Sequence, residues 1–114
     1  MKIVEADNYE QLCAQFQFQW IDTLRRTLEK YGVPTAAAKE ICGEFTFDLS
    51  MMFDQGEIQS GGRSYRPVIG FTDDEDEPTL TLQDGTVEFH EYAFGTTDEA
   101  FELAEAALKN TGAR

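Results

Sequence analysis

His90, the one histidine of the chain, is the residue best suited to proton transfer near neutral pH. Its neighbours are Glu88, Glu91 and Tyr92. A nearby carboxylate raises the pKa of a histidine, so His90 is a candidate for a pH switch or a general base. With a single histidine, triad and zinc arrangements are short of candidate residues, and one histidine with two cysteines at these spacings cannot form a usual structural zinc site. We therefore favour an exposed or strand-paired histidine.

Three carboxylates, Glu44, Asp48 and Asp54, lie on or beside a stripe of apolar residues. At helical spacing, two such carboxylates could share a proton or hold a metal ion. A solvated flank explains the same pattern, because burying an unpaired charge costs too much free energy. If Asp48 is buried, Arg63 and Arg66 are the cations available to pair with it. We favour that structural ion pair over catalysis.

A pocket between helices and sheet is an alternative use of the many aromatic residues, which number nine Phe, four Tyr and one Trp. Our candidates for the polar lining of such a pocket are Asp48, Arg66 and His90. The aromatic residues could equally line a seam between two copies of the chain. No nucleophile elbow or phosphate-binding glycine loop is present in the sequence. We predict no catalytic residue, no metal site and no cofactor, and we lean against an enzyme.

The most distinctive local feature is a run of consecutive carboxylates, Asp73, Asp74, Glu75, Asp76 and Glu77. A calcium-binding loop would need a glycine at its sharp turn and a closing glutamate, and this run has neither. We take these five residues as the candidate site for a basic protein partner. The alternative is a solvated hairpin tip whose charges discourage aggregation at a sheet edge.

The charge of the whole chain narrows the classes of partner. With 22 acidic and 9 basic residues, the formal net charge is −13. That field repels nucleic acid and anionic membrane surfaces, whose binding depends on Lys and Arg. It attracts basic proteins in a salt-dependent way, although a high net charge also serves solubility alone. We predict neither nucleic-acid binding nor membrane binding.

Cysteine usage and the N-terminal residues bear on the compartment. Cys13 and Cys42 both fall on apolar stripes, where a free cysteine acts as a small hydrophobic residue. Residues 1–7 contain no long apolar run of the kind found in a signal peptide. No segment has the roughly 18 apolar residues that a membrane helix needs. We expect a cytoplasmic protein without disulfides.

Two amphipathic helices are predicted in the first half of the chain. Apolar residues recur at three- and four-residue steps over residues 8–31, and Gly32 and Pro34 end that pattern. Residues 35–55 also fit a helix that Gly56 ends, but residues 44–53 fit an alternating strand almost as well. We favour the helix, because it forms a hairpin of matched length with its predecessor.

Short strands and tight turns are predicted after Gly56, followed by a final helix. Asp84–Gly85 is the strongest hairpin signal, and a capping box at Thr96 predicts the start of the last helix. The predicted strands cover residues 57–59, 64–71, 79–83 and 86–94. A turn containing Gly61–Gly62 connects the first two strands.

These elements predict a single α+β domain over residues 1–114. Two N-terminal helices form a hairpin, a three- to four-stranded antiparallel meander follows, and a C-terminal helix completes the layer on one sheet face. For function, we expect a small acidic non-enzymatic protein-interaction domain, similar in role to an inhibitor, an immunity protein or an adaptor. The alternative is a small-molecule-binding protein or an enzyme with an aromatic pocket. Homodimerisation is a third expectation.

Overall fold

The computed structural model describes residues 2–73, 79–82 and 88–111. The α+β class is confirmed, since two helices, then strands, then a helix follow one another along the chain. The elements in order are β1 (Lys2–Val4), α1 (Tyr9–Lys30), α2 (Thr35–Gln55), β2 (Ile58–Ser60), β3 (Arg63–Tyr65), β4 (Thr79–Thr81) and α3 (Phe89–Thr111).

The first helix follows its apolar period closely. Tyr9, Cys13, Gln17 and Ile21 recur every four residues and are its buried positions, as the stripe of a helix packed on other helices requires. Gly32 has a φ of 77°, so the left-handed stop predicted after this helix is confirmed.

Residues 44–53 are helical throughout, within α2. Ala38, Cys42, Thr46 and Ser50, at four-residue steps, are buried on its inner side. These side chains are small, so a neighbouring helix can approach closely. The larger residues whose alternation resembled a strand lie on different sides of the helix: Phe45 is exposed, whereas Phe47 packs against Phe94 of α3.

The predicted three- to four-stranded meander is wrong, because the strands form two separate two-stranded sheets. β2 and β3 form an antiparallel hairpin whose turn residues, Gly61 and Gly62, both have positive φ, as a type I′ turn requires. β4 instead pairs in parallel with β1, and Ile3 lies opposite Leu80. Pro67 lacks a backbone N–H, and residues 66–70 form no strand that could join the two pairs.

The last helix begins earlier than the capping box at Thr96 predicts. α3 starts at Phe89, so the predicted strand over residues 86–94 is wrong in its described part. Phe89, Ala93, Thr97 and Ala100 form its buried stripe. Thr97, next to the predicted cap, lies inside the helix, where its hydroxyl donates to the carbonyl of Ala93 at 2.7 Å. The Asp84–Gly85 turn lies outside the described residues.

The helices pack chiefly on one another rather than as a layer on one sheet face. One apolar cluster joins Tyr9, Cys13 and Phe89, and a second joins Ile21, Cys42 and Ala100. Both cysteines are buried free thiols, and burial raises the pKa of each. Among the described residues, no helix has the length and apolar character needed to cross a membrane.

Candidate functional site

Asp54 and His90 form a short hydrogen bond between two ionisable side chains, and Asp54 is buried. Asp54 lies in the last turn of α2, and His90 lies in the first turn of α3. His90 Nδ1 donates to Asp54 Oδ2 at 2.6 Å. The same carboxylate accepts the backbone N–H groups of Phe89 at 3.2 Å and His90 at 3.0 Å. Asp54 therefore caps α3 from a different helix, in the role usually taken by a local N-cap residue.

The environment of this pair favours a protonated imidazole. The hydrogen bond to Asp54 is the main cause that raises the pKa of His90, while partial burial opposes it. Glu88 and Glu91 add to the rise through their charge. Phe47 meets the imidazole ring edge-on, with 5.8 Å between ring centroids. When the imidazole is protonated, His90 and Asp54 form an ion pair beside the ring of Phe47.

An Asp–His pair can orient a general base, but catalysis also needs a reacting group beside the free ring nitrogen. The hydroxyl of Ser50, which belongs to the buried polar network, accepts a hydrogen bond from Gln17 Nε2 at 3.2 Å. Neither of the two cavities described below is lined by Asp54 or His90. What the geometry does support is a clamp that joins the end of α2 to the start of α3.

A buried amide reinforces the clamp from the first helix. Gln17 is fully buried, and its Nε2 also donates to the carbonyl of Phe89 at 2.9 Å. Among the described residues, its Oε1 has no hydrogen-bond partner. On the other side, Trp20 Nε1 donates to Thr46 Oγ1 at 3.1 Å. Polar contacts therefore link all three helices across a core in which apolar contacts usually dominate.

The structure separates the three residues predicted to line a pocket. Asp48 is exposed on α2, so it does not need the Arg63 or Arg66 partner that a buried carboxylate would require. Arg66 is exposed, and its Nη1 donates to the carbonyl of Phe53 at 3.1 Å. Only His90 enters a polar cluster, and its partner is Asp54. Sequence reasoning named Asp54 among the helix carboxylates but contained no signal for its role as a distant cap.

The acidic run is described only at its first residue, Asp73, which is exposed. Asp74, Glu75, Asp76 and Glu77 lie outside the described residues. Within the described residues, no group of three or more His, Cys, Asp or Glu side chains is arranged to hold a metal ion.

A band of apolar side chains lies along α1 and α2 on the side away from α3. We call it the α1–α2 face. Its members recur at helical spacing, and four of them are well exposed, namely Phe16 (40%), Ile41 (41%), Phe45 (49%) and Met52 (55%). Trp20, Leu24 and Leu49 are half-buried beneath the face, and the Trp20 ring also stacks on Phe89 of α3 with 5.8 Å between ring centroids.

The contacts of α2 with α3 show that α3 covers a different side of α2. Phe94 of α3 stacks on Phe47 with 5.8 Å between ring centroids and packs against Gly43. Phe47 and Gly43 lie across the helix from Ile41 and Met52 when residues are placed at 100° steps. α3 therefore leaves the α1–α2 face open.

The α1–α2 face has a closed end and an acidic edge. At the closed end, the Phe71 ring meets the Phe16 ring edge-on at 6.3 Å. Along α2, the exposed carboxylates Glu44 and Asp48 follow the apolar band. On α1, a shallow cavity of about 400 Å³ has mainly apolar walls, and its lining residues are Phe16, Gln19, Trp20, Thr23, Leu24 and Thr27.

A second cavity of about 530 Å³ lies between the α1–α2 turn and α3. Its apolar lining includes Val33 and Phe101. If the chain binds a small molecule, this cavity is the best candidate site for it. The two cations at its rim are already paired: Arg25 contacts carboxylates of Asp22 and Glu29 at 2.9 and 3.1 Å, and Lys39 contacts Asp98 at 3.1 Å. These cations are therefore compensated within the chain.

Comparisons with known proteins complete the description of the site. No protein-family model matches the sequence, and comparisons with curated proteins and with solved structures found no match.

Proposed function

We propose that this chain is a non-enzymatic protein-interaction domain that binds a basic partner protein through the α1–α2 face. The observation that carries the proposal is the open apolar band on α1 and α2 in a molecule with a net charge of −13. Exposed apolar bands bordered by polar residues are typical of protein-binding surfaces. An inhibitor, immunity or adaptor role is consistent with such a surface.

The Asp54–His90 pair supports binding over catalysis. Its carboxylate is occupied by three donors, two of which are the backbone N–H groups at the start of α3. Those hydrogen bonds explain the burial of Asp54 without any reaction, because a buried carboxylate needs such partners. The Asp54 carboxylate therefore has a structural role in joining α2 to α3.

Charge on α2 supports a basic partner. The one base of this helix, Lys39, pairs with Asp98 of α3 at 3.1 Å. Glu40, Glu44 and Asp48 are exposed on the same helix. Approach of a basic surface is accelerated by such a field, and added salt weakens the attraction. The carboxylates of residues 73–77 add to the negative charge of the chain and are part of this proposal.

Affinity capture from the cells that express the protein tests the proposal. Phe45→Ser removes an aromatic side chain from the face, while Leu103→Ser removes an exposed apolar side chain (53% exposed) from α3 as a matched control. We expect wild type and the Leu103→Ser variant to retain the same basic protein, and the Phe45→Ser variant to lose it. Retention should also fall as salt rises. Equal retention of the partner by wild type and the Phe45→Ser variant would refute the proposed surface.

A further inference from the structure

We infer that the occupant of the α1–α2 face is a single amphipathic basic helix of the partner, an inference that rests on the proposed function. The face spans two antiparallel helices, and its exposed apolar residues come from both. A helix laid along the line where the two helices meet would contact both at once, as in helix-in-groove recognition.

The dimensions of the face suit a short helix. From Ile41 to Met52 the apolar band on α2 extends about 16 Å, and from Phe16 to Leu24 that on α1 extends about 12 Å. Trp20 joins the two bands, because its indole N–H donates to Thr46 of α2. Three turns of a partner helix match this length. Phe71, packed against Phe16, closes one end and limits how far the partner helix extends.

The charges beside the face specify which side of the partner helix is basic. Glu44 and Asp48 are exposed along the α2 edge. The α1 edge carries the uncharged residues Gln19, Thr23 and Thr27, and Arg26, which contacts Thr23, is paired with Asp22 at 3.3 Å. A helix with apolar residues on one side and Lys or Arg on the flank nearest α2 would satisfy both edges. An acidic helix would place carboxylates against Glu44 and Asp48.

The same charges disfavour a second copy of the chain as the occupant. A twofold contact through this face whose axis runs across the helices would bring Glu44 and Asp48 of one protomer near those of its partner. Each copy also carries a net charge of −13. Like-charge repulsion across the contact therefore opposes self-association and favours a basic partner.

Binding of synthetic helical peptides of about 14 residues, roughly 21 Å long as a helix, tests the inference. The probe is a fluorescent Leu/Lys peptide with one apolar side, and its controls are a scrambled Leu/Lys peptide and a Leu/Glu peptide of the same pattern. Fluorescence anisotropy measures the Kd. We expect the patterned Leu/Lys peptide to bind at least tenfold more tightly than either control.

Matched variants locate the binding. Phe45→Ser and Met52→Ser should each weaken the patterned peptide about tenfold, because central apolar contacts carry most interface energy. Leu103→Ser, on α3, should change the Kd less than twofold. Glu44→Gln combined with Asp48→Asn should reduce the salt dependence of the Kd. The matched pair on α3, Glu99→Gln with Glu102→Gln, should leave most of that salt dependence in place.

Five results would overturn the inference. Equal binding of the scrambled peptide would show attraction to charge alone, and equal sensitivity to Leu103→Ser would place the contact elsewhere. Sedimentation that shows a dimer dispersed by Phe45→Ser would make a second copy the occupant. Capture of a cellular partner that depends on Phe45, without binding of the patterned peptide, would overturn the helix and leave the proposed function standing. Loss of both the Phe45-dependent capture and the binding of the patterned peptide would overturn both the partner helix and the proposed function.

Discussion

Asp54 shows how one side chain connects two helices. It lies at the C-terminal end of α2, where the helix dipole disfavours a carboxylate. The same carboxylate lies at the N-terminal end of α3, where it accepts two backbone N–H groups and the imidazole of His90. The second set of interactions outweighs the first, because three donors are satisfied inside a nearly closed environment (Asp54 is 7% exposed).

Replacing Asp54 tests this connection. Asp54→Ala should lower the free energy of unfolding by about 2 kcal/mol, the upper end of the range for loss of an N-cap. Asp48→Ala, which removes an exposed carboxylate from the same helix, should change it by less than about 0.5 kcal/mol. Urea unfolding followed by circular dichroism measures both. Equal effects of the two substitutions would show that Asp54 is not the cap of α3.

The ion pair should also make stability depend on pH. Asp54 raises the pKa of His90 in the folded state, so protonated His90 stabilises the fold below its unfolded pKa of about 6.5. That contribution is lost as pH rises through the higher folded value. We expect the free energy of unfolding to fall over this window in wild type and to stay level in His90→Gln.

Proton NMR of the imidazole gives the direct control for this pH dependence. Asp54→Asn keeps an acceptor oxygen but removes the charge, so the pKa of His90 should move down toward about 6.5. An unchanged titration midpoint would contradict the ion pair.

The helices differ in how far their sequences reveal them. α1 and the helical choice for residues 44–53 were predictable, because apolar residues at helical spacing and the stops at Gly32 and Gly56 are local signals. The start of α3 was not predictable in this way. Its cap, Asp54, is 35 residues from Phe89 in sequence, whereas Thr96 offers a local capping box that the fold does not use.

The strands were harder to predict, since partner choice is not local. Lys2–Val4 is too short to show an alternating pattern, yet it provides the partner of β4. The antiparallel meander expected from adjacent strands therefore failed, while the glycine turn of β2 and β3 was correctly located. The clamp at Asp54 and His90 depended on the same missing information, namely which distant segments meet.

The contact between α2 and α3 predicts coupling at Gly43. A Cβ there would lie 2.9 Å from the ring of Phe94, and that ring is held by stacking on Phe47. Glycine in a helix otherwise costs about 1 kcal/mol relative to alanine. Gly43→Ala should therefore stabilise the Phe94→Ala background by about 1 kcal/mol, and wild type by at least 1 kcal/mol less. An equal gain in both backgrounds would refute the close packing.

The molecule as a whole leaves much surface uncovered. Its accessible surface is 8085 Å², whereas a compact protein of this mass exposes about 6,300 Å². Several of its buried positions are polar, including Gln17, Thr46 and Ser50. A partly polar core with an open apolar band is consistent with the proposed partner, which would cover that band.

Net charge should make the isolated molecule more stable in salt. Carboxylate repulsion opposes the compact state at a net charge of −13, and a Debye length of about 10 Å at 0.1 M screens it. We expect the melting temperature to rise between 10 mM and 200 mM sodium chloride, while affinity for a basic partner falls. A melting temperature that decreases over this range would contradict the account of the charge.

The location of the bound peptide is the most direct test of the proposed binding surface. Addition of the patterned Leu/Lys peptide to ¹⁵N-labelled protein should perturb backbone amides chiefly over residues 16–27 and 41–52. Saturable perturbations confined to these stretches would support an apolar face that is completed by a basic helix. Perturbations centred on α3, or spread evenly over all acidic segments, would contradict it.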